Sequence, residues 1–356
     1  MFFNAYATVC EEIPAPYNHQ RGLDDPEMPD HLKDFVVFVW QVGGEEMTSQ
    51  MWAVMNHISQ TQRQYVFDVD SIEEFADWAK QVNAIWFRPD GALLNPEGEE
   101  IFAHAPVPYH PAAVARAKRV RAEIERDFKA RIPGFLPPVR SEFEISPRQP
   151  REVAQRFLSL AVFSELGLQL MSGEELPLAQ LKESMPDAFQ NLNENETQFL
   201  NLVESGEISL PLDKQLNLND ASDEVQGLVA LALELAWEGQ SALMLAYTFG
   251  LVQLPEGEVG DEYKEVTGWA LENGQDAVYE FVEGFIPLEE LCEKYEFIRS
   301  LRWVSIHERM RPKRFGIFKR PVTISDRKEA QLMQWHQALA WLCEPHNDWD
   351  EIDLSI

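Results

Sequence analysis

The stretch from Leu228 to Leu254 constrains this chain most. It is the richest apolar run in the sequence, and Glu234, Glu238 and Gln240 interrupt it. A bilayer-spanning helix needs about 20 nearly uncharged residues. The interruptions therefore argue for burial inside a protein core. Two buried helices joined by a turn at Glu238-Gly239-Gln240-Ser241 are expected. Of the 356 residues, 45% are hydrophobic and 11% aromatic, enough for a sizeable core. At roughly 100–200 residues per domain, that length suggests two domains.

The first part, residues 1–105, reads as mixed α and β. Phe2 to Val9 is a plausible strand, and Pro14 to Pro29 a Pro- and Asp-rich loop. Asp30 could cap a helix through Phe35, Phe38 and Val39 to the Gly43-Gly44 stop. The run Phe35-Val36-Val37-Phe38-Val39 suits a buried strand equally. Met51, Val54, Met55 and Ile58 have helical spacing within 47–60. Tyr65-Val66-Phe67 and Ala84-Ile85-Trp86-Phe87 read as strands, and Asp90-Gly91 signals a hairpin into Leu93-Leu94. Ser71 with Glu74 has capping-box spacing for a helix over Ile72, Phe75, Ala76 and Ala79.

Residues 106–150 read as a linker carrying a charged helix. Pro106, Pro108 and Pro111 open it, and Pro133-Gly134 and Pro137-Pro138 break it again. From Pro150 the pattern is helical: 152–168, 178–185, 194–203, the apolar pair, 261–272, 276–284, 288–300 and 325–343. The expected fold class is α+β, a small mixed domain followed by a larger, mainly α-helical domain over 151–356.

Charge is distributed in blocks. The net charge is −30, from 60 acidic and 30 basic residues. Residues 161–297 hold 28 acidic and 4 basic side chains, whereas 298–328 hold 10 basic and 2 acidic. Such a field repels nucleic-acid phosphates and anionic membranes, so neither is expected as a partner. A basic protein partner is the electrostatic complement.

Cys10, Cys292 and Cys343 form no CxxC pair, which argues against zinc and disulfides and suits a reducing cytoplasm. No basic residue precedes Arg21, so the start does not read as a signal peptide. No GxSxG, P-loop, GxGxxG or HExxH pattern is present, and neither a catalytic residue, a metal site nor a cofactor is expected. Arg309, Arg311, Lys313, Arg314, Lys319 and Arg320, interleaved with Phe315 and Phe318, form the most distinctive block. Guanidinium groups grip phosphate or carboxylate bidentately, so an anion site is one reading; a solvated loop countering acidic helices is the other. The tail His346 to Asp353 offers oxygen ligands for a hard cation, or simply an acidic end after a helix. Trp78, Trp237, Trp269, Trp303, Trp335 and Trp341 sit at helical positions as expected core; an exposed tryptophan would mark an interface.

Three stretches resemble the bacterial family of unknown function DUF4272. Arg148-Gln149-Pro150-Arg151-Glu152-Val153-Ala154-Gln155-Arg156 resembles the helix opening its core. Ser241 to Leu251 resembles its central Leu-rich helix ending in glycine, preceded by a partial match at Ala236 to Ala242. Trp335 to Leu342 with Asn347 to Asp353 resembles its closing helix, Trp-Asp and acidic end. The resemblance implies a helical fold from about residue 140 and brings no reaction, cofactor or active site. The expectation is a non-catalytic acidic interaction protein, immunity- or antitoxin-like. The alternative is an enzyme on an anionic small molecule held by the 309–320 block.

Overall fold

The computed structural model describes residues 1–206, 208, 210–213, 221–255, 259–310 and 324–356, with side chains in the helix ending at Met310 described as far as His307. The chain divides into two compact units. One comprises Met1–Arg119 with Pro137–Ser146, the other Val120–Leu136 with Pro147–Ile356.

The first unit is built on a five-stranded antiparallel sheet, ordered β2-β3-β1-β4-β5. Its strands are β1 Phe2–Ala7, β2 His19–Gly22, β3 Arg63–Asp68, β4 Ala84–Phe87 and β5 Leu93–Leu94. Side chains alternate across the pleat, and the sequence uses that period. Tyr6, Ile85 and Leu93 face one way, into a core with Leu32, Phe35, Val39, Met51, Val54 and Ile58. These come from helices α1 Met28–Val42 and α2 Ser49–Ser59. Ala5, Ala84, Trp86 and Leu94 face the other way, into a core with Phe75 and Ala79. Ala79 belongs to the short helix α3 Ala76–Gln81.

The run Phe35 to Val39 is helical. Only Leu32, Phe35 and Val39 of that region are buried, the helical period, while Val37 and Phe38 are exposed. The helix begins earlier than Asp30, with Pro29 and Asp30 both in its first turn. Strand β2 lies inside the expected 14–29 loop, held by pairing Arg21 opposite Gln64 rather than by any apolar pattern. Ser71 does not cap an α-helix; its hydroxyl accepts from the Glu73 N–H and opens a 3-10 turn, Glu73–Phe75. The Asp90-Gly91 hairpin forms, with Gly91 at φ 94.

Helix α4, Pro111–Phe128, is divided between the units after Arg119. The second unit is helical. It contains α5 Pro150–Met171, α6 Leu178–Ser184, α7 Glu194–Glu204, α8 Asp223–Thr248, α9 Glu262–Phe281, α10 Leu288–Met310 and α11 Asp326–Cys343. Helices α5 and α8 form its centre. Gly167 lets them approach closely, because a β-carbon there would collide with the Ala232 carbonyl oxygen.

The apolar stretch is one helix, not two. Residues Glu238 to Ser241 continue α8, and side chains from α11 meet part of their polar demand. The Gln240 side-chain oxygen accepts from Gln331 at 2.9 Å, and the Ser241 hydroxyl donates to Gln334 Oε1 at 2.7 Å. Gly239 lies against the Tyr263 ring. By length and composition α8 would suffice to cross a membrane, but its most apolar window is 72% buried in the helical unit. Helix α9 breaks at Gly274 (φ 79, ψ 172), where a gap between helices is expected from the sequence. Helix α10 runs ten residues past the expected Ser300 stop to Met310, since Leu301 and Val304 continue its buried face.

Candidate functional site

The densest cluster of buried charge sits where the C-terminal tail meets helices α5, α7 and α8. Its geometry starts from two arginines at the head of α5, Arg148 just before Pro150 and Arg156 two turns later. Arg148 Nε donates to the Trp341 carbonyl at 2.8 Å and Nη2 to the Glu344 carbonyl at 3.2 Å. It also donates to the Asn347 carbonyl, and it pairs with Glu152. The Trp341 carbonyl lies in the last turn of α11 and the other two follow that helix, so the guanidinium gathers the chain at the helix terminus.

The same guanidinium lies 4.2 Å from the Trp341 ring centre, and Arg156 lies 4.3 Å from that of Trp349. The two indoles meet edge to face at 5.4 Å. Arginine, indole, indole and arginine thus form one continuous contact series joining the tail to α5. Cation–π contacts of this kind gain strength when desolvated.

Arg156 also serves two carboxylates. Its Nη1 donates to Glu196 at 2.8 Å, and its Nη2 lies 3.7 Å from Glu238. Glu196 is the third residue of α7 and completes a capping box with Asn193: each accepts the other's backbone N–H. The Asn193 amide then reaches Glu238 at 3.3 Å. Asp350 accepts the Glu194 N–H at 2.9 Å, a second cap on the same helix. Burial and the adjacent Glu196 carboxylate push the Glu238 carboxyl up to about 8, against the opposing pull of Arg156.

Access decides what this cluster can do. Arg156 is 5% exposed, Glu196 0% and Glu238 6%. Carboxylates sharing one guanidinium at such depth fix helix register and tail position; a substrate would have to displace Trp349 to reach them. The tail acids serve as caps. Asp348 and Glu351 form a capping box on the turn Trp349–Glu351, and Asp350 caps α7.

Two other polar clusters are structural in the same sense. Arg302 donates to His336 Nδ1 at 2.6 Å and to the Leu354 carbonyl at 2.6 Å. Burial, then Arg302 and Arg299, press the His336 imidazole down to about 3, so it stays neutral and accepts. In the first unit, Glu144 accepts from Thr8, from Asn83 Nδ2 at 2.8 Å and from the Ser141 N–H at 2.8 Å. Burial opposes its ionisation, yet the hydrogen bonds from Thr8 and Ser141 outweigh it and hold the carboxyl below the usual range. His307 stacks on Trp303 at 4.4 Å.

The Arg309 side chain, and Arg311, Lys313, Arg314, Lys319 and Arg320 entirely, lie outside the described residues. The sequence reading quoted Arg148–Arg156 and Asn347–Asp353 as separate segments; the fold brings them together. Glu196 carried no signal, since an acid in an acidic helix reads as surface, and Glu238 stood out only as an interruption of the apolar run. Trp335 and Trp341 are buried as expected, whereas Trp52 is 48% exposed.

No curated protein and no solved structure matches the chain. A family model does match, the domain of unknown function DUF4272, over residues 116–352. That stretch includes both arginines, both capped carboxylates and the tail tryptophan. The protein is therefore a member of the DUF4272 family.

Proposed function

We propose that this protein is a non-catalytic interaction protein whose acidic helical surface docks a basic protein. The observation that carries the reading is how the helical unit sorts its charge. Arg148 and Arg156 turn inward, onto carbonyls, indoles and two buried carboxylates. Helices α6 to α9 keep their carboxylates outward: only Glu196 and Glu238 are buried, while Glu183, Glu204, Glu234, Glu265, Glu272, Asp276 and Glu280 are all exposed. Their cations are Lys182 and Lys264, already paired with Glu204 and Asp261. Unpaired exposed carboxylates steer a cationic partner and set the salt dependence of binding.

An immunity- or antitoxin-like protein, capturing a basic toxin, is one concrete form. Cys10, Cys292 and Cys343 are in no disulfide, consistent with a reducing cytoplasm. The test is affinity capture from the source cells at low and at moderate salt. A basic protein retained at low salt and released as salt rises is expected, because the Debye length shrinks to about 8 Å at physiological ionic strength. Retention indifferent to salt, or retention of acidic proteins only, contradicts the proposal.

A further inference from the structure

A second surface, in the sheet-bearing unit and independent of the acidic helices, has the chemistry of a helix-binding groove. Helices α1 and α2 are packed side by side, and a groove of about 290 Å³ runs between them. Val36, Met47, Trp52, Met55, Asn56 and Ser59 line it. Trp52 is 48% and Met47 57% exposed. On α2 the lining residues 52, 55, 56 and 59 follow the i, i+3, i+4, i+7 spacing of one helical face. That face flanks the core residues Met51, Val54 and Ile58, and Val36 and Met55 at its edge also pack against them. An exposed tryptophan beside flexible methionines is costly to leave in water, and Met-lined grooves adapt well to apolar helix faces.

Charge selects the occupant. The groove mouth is the turn between the helices, where Glu45 and Glu46 stand exposed immediately before Met47. The carbonyl end of α1 points to the same turn, and its last turn carries no basic residue to offset it. Lys33, on the outer part of α1, is engaged by Asp30 at 3.5 Å. The mouth is therefore negative and the floor apolar.

We infer that the groove between α1 and α2 binds an amphipathic helix of a partner protein. That helix lays an apolar i, i+3, i+4, i+7 face against Trp52 and Met55 and places a lysine or arginine at the Glu45-Glu46 end. An acidic helix is repelled at the mouth, and a second copy of this chain brings its own surplus of carboxylates.

The probe is a synthetic Leu/Lys amphipathic helix about four turns long. A Leu/Glu version and a scrambled Leu/Lys sequence serve as controls. Methionine-methyl NMR of the full chain reads Met47 and Met55 directly. Saturable shifts of both methyls with the Leu/Lys helix alone are expected. Trp52→Ser should weaken binding about tenfold, as loss of an aromatic anchor does. Glu45→Gln with Glu46→Gln should weaken it about three- to fivefold and flatten its salt dependence. Met47→Ser provides a second anchor variant should Trp52→Ser fail to fold. Methyls that do not shift, equal binding of the scrambled or Leu/Glu peptide, or affinity unchanged by both anchor variants would overturn the inference. So would a concentration-dependent dimer abolished by Trp52→Ser. None of these substitutions touches the helical unit, so the outcome is separable from that of the acidic-surface proposal.

Discussion

Arg156 joins three parts of the helical unit. It touches the tail through Trp349, α7 through Glu196 and α8 through Glu238. Removing one member of a buried ion pair strands the others, so Arg156→Ala is expected to destabilise the fold by about 3–5 kcal/mol in denaturant titration. Trp349 should then become accessible to solvent quenchers. Two buried titrations pull stability in opposite directions with pH. The folded protein keeps the Glu238 proton up to about 8, whereas the unfolded chain loses it near 4.5, so this group's contribution falls as pH rises across that window. The unfolded chain protonates His336 near 6.5 and the folded protein only near 3, so its contribution is lost as pH falls through that window. Melting temperature followed from pH 4 to 9 should show both limbs, and Glu238→Gln should flatten the alkaline one while leaving the acid one in place.

At the scale of elements, the close crossing of α5 over α8 is the most exposed to a small change. Gly167→Ala forces a methyl against the Ala232 carbonyl oxygen and should cost about 1–3 kcal/mol, with an unchanged helical spectrum. Strong periodic signals were legible in the sequence. The Asp90-Gly91 hairpin, the start of α11 at Ser325 and the gap in α9 between 272 and 276 all sit where the local sequence put them. What failed were signals whose meaning depends on a distant partner. The Glu238-to-Ser241 segment looked like a turn because polar residues interrupt the apolar run; Asn193, Gln331 and Gln334 bond to it from far along the chain. Strand β2 has no apolar alternation, and only its pairing with β3 defines it. The candidate cluster was half visible, in the resemblance of its arginine and tryptophan segments. Glu196 was invisible because burial, not residue type, separates it from its exposed neighbours, and Glu238 showed only as an interruption of the apolar run.

For the molecule as a whole, the proposal rests on charge sorting: Arg148 and Arg156 drawn inward, and the carboxylates of α6 to α9 left outside apart from Glu196 and Glu238. The excess was legible in composition alone, at 28 acidic against 4 basic residues over 161–297. Which acids stand outward was not. The measurement that tests this most directly compares wild-type protein with a variant carrying Glu265→Gln, Glu272→Gln, Asp276→Asn and Glu280→Gln on α9. Capture from source-cell extract at low salt is the readout, once circular dichroism has established that both proteins are folded. The account predicts that the variant loses the basic protein which the wild type retains. Equal retention by the two would contradict it.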